Sequence, residues 1–321
     1  MKLATLDDGS TDGRLVVVSP DAERALPAGQ DWPTLQSALD RWSEAEPELR
    51  RVARLLDMGE GPPLPAGSIL APLPRAWQWL DGSAYRSHGE LMERLFGTAP
   101  PPAGRPLMYQ GLSHQFLSGT ADVPVLREED GIDFEGEFGV VTDFVPMGVT
   151  PDEAMGHIKL VVQINDWSLR TLAPVEMKTG FGWVQAKPAC SIAPFAVTPD
   201  ALGEFWQDGR VHLPLIVHWN GKPFGAPLGG AMGFGFHDLI AHAASTRSLC
   251  AGTIIGSGTV SNDDYRTVGS SCIAERRGIE MLDEGAPRTS YMKFQDTVRM
   301  EATLPDGSPL FGPIDQRVVA A

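Results

Sequence analysis

The sequence has few cysteines and no long apolar run. Its three cysteines form neither a disulfide framework nor a metal-ligand spacing, and they are Cys190, Cys250 and Cys272. The first eight residues, MKLATLDD, lack the apolar centre of a signal peptide, and no stretch is long enough to cross a bilayer. We therefore expect a cytoplasmic protein that has no membrane partner.

Clusters of basic residues are also missing. The chain has 26 Lys and Arg against 41 Asp and Glu, which gives a formal net charge of -15, and its basic residues are scattered. This distribution argues against a nucleic-acid partner. What the sequence does contain is glycine and proline, 35 and 27 of 321 residues, a composition that suits many short strands joined by turns. A hydrophobic content of 42% and a mean hydropathy of -0.11 are typical of a globular protein.

The order of predicted elements divides the chain into two parts. Residues 1–70 are predicted to form a small α+β domain, and residues 71–321 a larger β-rich domain. In the first part we predict strands over 3–6 and 15–18, a helix through 35–42 and a second helix that starts at Pro47. The Gly- and Pro-rich stretch 61–67 is typical of a linker. The second part predicts a helix over 237–245 and strands over 158–164, 211–219, 253–255 and 296–304.

The most informative segment is IDFEGEFGVV at 132–141. It reads as a strand in which Asp133, Glu135 and Glu137 share one face. Burying such a row is costly unless a cation neutralises it. Glu135 and Glu137 would lie roughly 7 Å apart at their Cα atoms and could share an ion, whereas Asp133 would lie at the rim or behind the ligands. An edge strand with a solvated acidic face remains the alternative.

Other segments carry chemistry that is ambiguous when each is taken alone. Asp81 precedes His88 by seven residues, which on a helix is about two turns and one face. Asp166 follows an apolar strand, where a carboxylate is well placed for a site, but it could equally form a surface ion pair with Arg170. Lys187 lies in an apolar run of small residues. The stretch 256–261 has glycines, but their spacing fits neither common nucleotide motif.

Together, the order and spacing of these motifs are distinctive. The sequence resembles the fumarylacetoacetate hydrolase family in its longer form, which has an N-terminal domain. The matching pieces are Asp81 with His88, PLMYQG at 106–111, SGT at 118–120, DFEGE at 133–137, NDWSLR at 165–170, Lys187, SGT at 257–259 and GSSCIAE at 269–275.

The resemblance implies a fold, a metal site and a set of catalytic residues. The fold would be a mixed α/β, β-rich structure in which a small α+β domain precedes a mixed β-roll, and the protein would be a homodimer. The implied metal ligands are Asp81, Glu135, Glu137 and Asp166. Carboxylates are hard ligands that suit Mg²⁺ first, with Ca²⁺ or Mn²⁺ also possible, and disfavour zinc. The implied catalytic residues are the general base His88, its partner Glu275, and Arg170 and Lys187, with Tyr109 and Thr259 lining the substrate pocket.

The implied activity is hydrolysis of a carbon–carbon bond in a 1,3-diketone acid, such as an acylpyruvate or a compound like fumarylacetoacetate. The metal would polarise the diketone and His88 would activate water. Decarboxylation, hydration or isomerisation of a 2-keto acid on the same metal site is the alternative within enzymes. A non-catalytic metal-binding scaffold is the alternative outside them. The pair of His88 and Glu275 favours hydrolysis, because the other reactions need the metal enolate but not necessarily a water-activating pair.

Some positions depart from the family pattern. Ala173 and Met177 stand where fumarylacetoacetate-cleaving members carry a substrate-contacting glutamine and a tyrosine. Gly97 falls where those enzymes have an arginine for a substrate carboxylate, although Arg94 is close. Because the metal site and base are kept while substrate contacts change, the sequence predicts the family chemistry on a different substrate.

Overall fold

The computed structural model describes residues 1–96 and 104–321. Its strands are β1 Lys2–Leu6, β2 Arg14–Val18, β3 Ala25–Pro27, β4 Trp79–Ser83, β5 Leu107–Gln110, β6 Leu117–Ser118, β7 Val123–Val125, β8 Ile132–Asp133, β9 Gly136–Thr142, β10 Ile158–Asn165, β11 Ser168–Leu169, β12 Ser191–Ile192, β13 Ala196–Val197, β14 Trp206–Gln207, β15 Arg210–Val211, β16 Ile216–Trp219, β17 Lys222–Gly225, β18 Ile254–Gly256, β19 Thr297–Glu301 and β20 Ile314–Ala320. The α-helices are α1 Leu35–Asp40, α2 Trp42–Asp57, α3 Arg86–Phe96, α4 Pro151–Met155, α5 Ala173–Thr179, α6 Phe236–Ala243, α7 Tyr265–Val268 and α8 Ile273–Glu284.

Two large sheets organise these strands. The larger has the order β3-β2-β1-β13-β10-β9-β18-β4-β5, with β12 and β6 attached beside β10. Its pairing is mostly antiparallel, but β18 runs parallel to β4. The second sheet has the order β17-β16-β19-β20-β7 and includes a parallel pair, β20 with β7. The predicted mixed, β-rich α/β fold is confirmed.

The N-terminal residues belong to the large sheet. Strand β1 pairs with β13, so β1–β3 extend the sheet beyond the central strands. One apolar cluster joins Leu3 and Leu39 of this region to Leu160 and Ile254 of the central strands, all four of them buried. Because both the sheet and this core cross residues 70 and 71, the division into domains at that point remains a prediction.

Several predicted elements need correction. Pro47 does not start a helix; it lies inside α2, which begins five residues earlier at Trp42. The strand predicted over 211–219 is interrupted between β15 and β16, where Pro214 cannot donate a hydrogen bond to a ladder. Asp81 and His88 do not share a helix, since Asp81 lies on β4 and His88 on α3, so the helical spacing considered for them does not apply.

Among residues 1–96 and 104–321, none of the helices combines the length and the hydropathy that a membrane crossing requires.

Candidate active site

Three carboxylates converge at the centre of the large sheet. Oxygen atoms of Asp81, Glu137 and Asp166 all lie within 4.8 Å of one another, and all three residues are buried. Asp81 lies on β4, Glu137 lies on β9, and Asp166 directly follows β10. These strands are close in the sheet, because β9 pairs with β10 on one side and with β18 on the other, and β18 pairs with β4. The sheet order therefore brings together acids that are far apart in the sequence.

The surroundings of Glu137 indicate that a cation belongs in this cluster. Its side chain is fully buried, and among the described residues no hydrogen-bond donor reaches either carboxylate oxygen. Leaving a buried charged group without a partner is strongly unfavourable. The backbone also makes room for the acids, because a Cβ atom at Gly256 would lie 2.4 Å from Asp81 Oδ1. Oxygen donors of this kind suit Mg²⁺, Ca²⁺ or Mn²⁺, so the residues fit the implied metal.

The electrostatics of the cluster point the same way. Burial, and after it the negative charge of neighbouring carboxylates, raises the pKa of Asp81 and of Glu137 well above the usual range. Without a cation the cluster therefore retains protons, and a divalent ion would compete with those protons for the same oxygens.

Glu135 faces a different environment from Glu137. Its Oε1 accepts hydrogen bonds from Ser168 Oγ at 2.5 Å, Arg170 at 2.7 Å and Lys187 Nζ at 2.9 Å. Its Oε2 accepts one from Thr259 Oγ1 at 2.6 Å. Burial alone would raise the pKa of Glu135, but the charges of Arg170 and Lys187 outweigh burial and hold it well below the usual range. Glu135 is thus an ionised carboxylate whose position is fixed by four side chains.

Asp166 connects the acidic cluster to three further side chains. Its Oδ2 accepts hydrogen bonds from Tyr109 at 2.5 Å and from Lys187 Nζ at 2.6 Å, and its Oδ1 accepts one from Cys190 Sγ at 2.7 Å. Burial lowers the pKa of Lys187, but the negative charges of Asp166 and Glu135 raise it by more, so the net shift of this pKa is upward. Lys187 is therefore a permanent cation between two carboxylates.

The NDWS segment has a structural reason for each of its residues. Asn165 Oδ1 accepts a hydrogen bond from the Glu135 backbone N–H at 2.9 Å. Trp167 is buried, and its indole donates to Ser191 Oγ at 3.0 Å, which anchors the turn that follows β10. Ser168 then reaches the Glu135 carboxylate. The segment thus positions two acids, Glu135 and Asp166, at once.

A histidine and a glutamate form a pair close to this cluster. His88 Nδ1 lies 2.9 Å from Glu275 Oε2, and Glu275 is fully buried in the first turn of α8. Because the carboxylate accepts, the imidazole donates from Nδ1 and keeps Nε2 to accept a proton. The backbone of Cys272 pairs with that of Glu135 in an isolated antiparallel β-bridge. The thiol of Cys272, a ring nitrogen of His88 and a carboxylate oxygen of Glu275 lie within 4.8 Å of one another. This bridge places the pair next to the acidic cluster.

The remaining predicted residues occupy varied places. Arg170 pairs with Asp133 and Glu135, so the alternative of a surface pair with Asp166 is wrong. Thr259 contacts Glu135, and Tyr109 contacts Asp166.

The positions that depart from the family pattern lie on α5 or outside the described residues. Ala173 begins α5, a helix with no buried residue, and Met177 is 62% exposed on it. Gly97 lies outside the described residues. The assignment of catalytic, binding and metal-ligating roles to the residues of the site remains a prediction.

Sequence reasoning missed Cys190, Cys272, Asn165 and Ser168 as parts of the site. Their signals are weak because single cysteine, asparagine and serine residues are common in any sequence. Only the flanking position of Asn165 and Ser168 around Asp166 could have indicated them.

Comparison with known families decides the classification. The profile described as "Fumarylacetoacetate (FAA) hydrolase C-terminal" matches residues 78–319, which is most of the chain. The chain belongs to the fumarylacetoacetate hydrolase family. A second profile of this family, "Fumarylacetoacetase N-terminal domain 2", matches residues 1–75, as expected for the longer form. A search of curated proteins finds no match.

Solved structures of the fumarylacetoacetate hydrolase family share this fold. A fumarylacetoacetate hydrolase from psychrophilic Exiguobacterium antarcticum is 18% identical, with a TM-score of 0.69 and 100% of both chains covered. A maleylpyruvate hydrolase from Sphingobium sp. SYK-6, in complex with manganese(II) and pyruvate, is 15% identical, with a TM-score of 0.67 and 100% of both chains covered. A 2-hydroxyhepta-2,4-diene-1,7-dioate isomerase from Mycobacterium marinum is 16% identical, with a TM-score of 0.62, and covers 100% of this chain and 98% of its own. These likenesses show the fold, and the family to which the chain belongs includes both hydrolases and isomerases.

Proposed function

We propose that the chain is a metal-dependent hydrolase that cleaves a carbon–carbon bond in a 1,3-diketone acid. The observation that carries the proposal is the hydrogen bond of 2.9 Å between His88 and Glu275, next to the acidic cluster. A carboxylate on one ring nitrogen orients an imidazole and raises its basicity, which is the arrangement that water activation needs. Isomerisation and decarboxylation do not require a base that activates water, so the pair supports hydrolysis more directly than either of them.

The residues that would hold the metal are Asp81, Glu135, Glu137 and Asp166. When bound, a divalent ion, Mg²⁺ by first choice, would supply Lewis-acid polarisation of the diketone oxygens. Lys187 bridges Glu135 and Asp166 at 2.9 and 2.6 Å, and so fixes one oxygen of each of these carboxylates. The cations of the site thus position the ligands in addition to offsetting charge that develops on the substrate.

The proton steps fall to His88. Its Nε2 takes a proton from water while Glu275 stabilises the imidazolium that forms. The hydroxide adds to the carbonyl carbon of the acyl group, and the carbon–carbon bond breaks with its electron pair on the leaving carbon. That carbon then takes the proton from His88, so the products are a carboxylic acid and a ketone or keto acid.

The surroundings of Tyr109 favour an acylpyruvate as the substrate. The ring of Trp183 packs edge-on against Tyr109, with centroids 6.3 Å apart, and Tyr109 in turn contacts Asp166. The segment that carries Trp183 exposes apolar side chains, among them Met177 and Phe181. An apolar acyl group would gain from these contacts, whereas a second carboxylate would not.

The experiment that tests the proposal is a product assay with Mg²⁺ on acylpyruvates, dicarboxylic 1,3-diketones and oxaloacetate. We expect loss of diketone absorbance with two products, fastest on an acylpyruvate, and no turnover in EDTA. Release of CO₂ from oxaloacetate alone would support a decarboxylase, and a shifted absorbance with one product would support an isomerase. Inert behaviour toward every substrate would support a scaffold. The Glu137→Gln variant serves as the inactive control, and Glu60→Gln, at an exposed acid, as the active one.

A further inference from the structure

We infer that Asp133 is a positioning residue that fixes two parts of the site relative to each other. One part is the His88–Glu275 pair, and the other is Arg170, the cation that contacts the proposed ligand Glu135. This inference rests on the proposed function for its kinetic test, but its structural test does not. Asp133 is fully buried and lies outside the group of converging carboxylates. Its two oxygens instead contact two separate parts of the site.

One contact is with the beginning of α8. Asp133 Oδ1 accepts a hydrogen bond from the backbone N–H of Ile273 at 2.7 Å, and Oδ2 accepts one from Ala274 at 2.9 Å. Free N–H groups in the first turn of a helix need acceptors, and a carboxylate there also interacts favourably with the helix dipole. Glu275 is the next residue of this turn and contacts His88. Asp133 therefore fixes the backbone from which Glu275 reaches the imidazole.

The other contact is with Arg170. Its Nε donates to Asp133 Oδ2 at 2.8 Å while a terminal nitrogen donates to Glu135 Oε1 at 2.7 Å. The guanidinium is planar, so fixing one edge on Asp133 fixes the direction of the other edge toward Glu135. Strand pairing supports this geometry, since Asp133 lies opposite Ser168, which also contacts Glu135.

A carboxylate is the group that these contacts require. Three donors converge on two oxygens, and two of them, Ala274 N–H and Arg170 Nε–H, share Oδ2. An asparagine of the same shape would keep one acceptor but place an amide N–H₂ against donors. Asp133→Asn should therefore release either the helix start or the guanidinium without adding bulk.

The structural test follows the ring nitrogens of His88 by ¹⁵N NMR, with the seven histidines resolved by comparison with His88→Ala. In the metal-loaded wild-type protein we expect the Nδ1–H tautomer. In Asp133→Asn we expect a mixture of tautomers and loss of the downfield Nδ1–H proton. Unchanged His88 signals in a folded Asp133→Asn protein would overturn the inference. This readout needs no turnover, so it stands apart from a failure of the proposed reaction.

The kinetic test separates positioning from general stability. Substitution of a group that orients a ligand or base costs roughly 10–100-fold in activity. We expect Asp133→Asn to lose that much kcat with KM within about threefold of wild type. Gln163→Leu, which removes buried hydrogen bonds to Met300 and Ala302 outside the site, should lower stability and leave kcat near wild type.

A double-mutant comparison then tests the path through Glu275. If Asp133 acts through Glu275, Asp133→Asn should lower kcat less in a Glu275→Gln background than in the wild-type protein. We expect the logarithm of the fold-loss in kcat to be less than half of its wild-type value. The same substitution in a Tyr109→Phe background should keep its full cost, because among the described residues Tyr109 and Asp133 have no hydrogen-bond partner in common. Full additivity with Glu275→Gln, or a kcat loss that Gln163→Leu reproduces at equal stability, would overturn the inference.

Discussion

Substitution of Glu137 by glutamine should stabilise the metal-free protein while removing its response to metal. In the described part of the site, five buried acids (Asp81, Asp133, Glu135, Glu137 and Asp166) face two cations, Arg170 and Lys187. Ionisation of all five would leave three uncompensated negative charges, so the metal-free cluster retains protons. Among these acids, Glu137 is the one that no donor from residues 1–96 or 104–321 reaches. Glutamine removes its charge and gives its neighbours, Asp81 and Asp166, an N–H donor.

The magnitude follows from the cost of a buried polar group without a partner, about 1–3 kcal/mol. For a chain of this size that corresponds to a rise of roughly 1.5–4.5 °C in the Tm of the metal-free protein. The wild-type protein should gain about 2.7 kcal/mol from Mg²⁺ at 100 times its Kd, and Glu137→Gln should gain nothing.

Differential scanning fluorimetry in EDTA and in a Mg²⁺ titration measures both effects, with calorimetry as the check on binding. Glu60→Gln, at an exposed position, should behave as wild type. A Glu137→Gln protein that is less stable in EDTA, or that keeps the stabilisation by Mg²⁺, would refute the assignment of Glu137 to a cation site.

Four further predictions concern pH, the base, the backbone and assembly. Folding raises the pKa values of Asp81 and Glu137, so the folded metal-free protein binds more protons than the unfolded chain. In thermal unfolding, its stability in EDTA should therefore fall as pH rises from roughly 4 through those raised pKa values, and Mg²⁺ should reverse the loss at pH 8. His88→Ala and Glu275→Gln should each lower kcat by roughly 10²–10⁴-fold in steady-state assays with little change in metal affinity, and the double variant should be little worse. Gly256→Ala should weaken Mg²⁺ binding in calorimetry, because its Cβ would lie 2.4 Å from an oxygen of Asp81; unchanged affinity would contradict the observed packing. Light scattering should give a homodimer at micromolar concentration, and a monomer in both EDTA and Mg²⁺ would contradict that prediction.

The sequence predicted the fold class and the members of the site better than their arrangement. Alternation along 132–141 placed Glu137 on a buried strand, β9, but the single strand predicted there is wrong, because the chain breaks into β8 and β9 at Phe134 and Glu135. The NDWS segment marked Asp166, because its signal is local. The convergence of Asp81 with these acids depends on β18 lying between β4 and β9, and strand order across a sheet leaves no local signal. For the same reason the spacing of Asp81 and His88 gives no sign that the two residues lie on different elements.

The different environments of the individual acids could not be predicted from the sequence either. Glu135 and Glu137 are two residues apart and look equivalent in the sequence. In the part of the chain that the structure describes, however, the carboxylate of Glu135 meets four side-chain donors and that of Glu137 meets none. Those donors come from residues 168, 170, 187 and 259, which only the folded sheet brings together. The same holds for Asp133, whose contacts at the start of α8 are 140 residues away in the chain.

The most direct test of the central claim is hydrolysis of an acylpyruvate in H₂¹⁸O with Mg²⁺, followed by mass spectrometry of the products. Water activation by His88 predicts two products, a carboxylate that carries one ¹⁸O from the solvent and pyruvate, with an enzyme-free control correcting for exchange at the ketones. It further predicts that His88→Ala abolishes the labelled carboxylate while Glu60→Gln retains it. A single unlabelled isomer, release of CO₂, or a labelled carboxylate formed at the wild-type rate by His88→Ala would contradict the account.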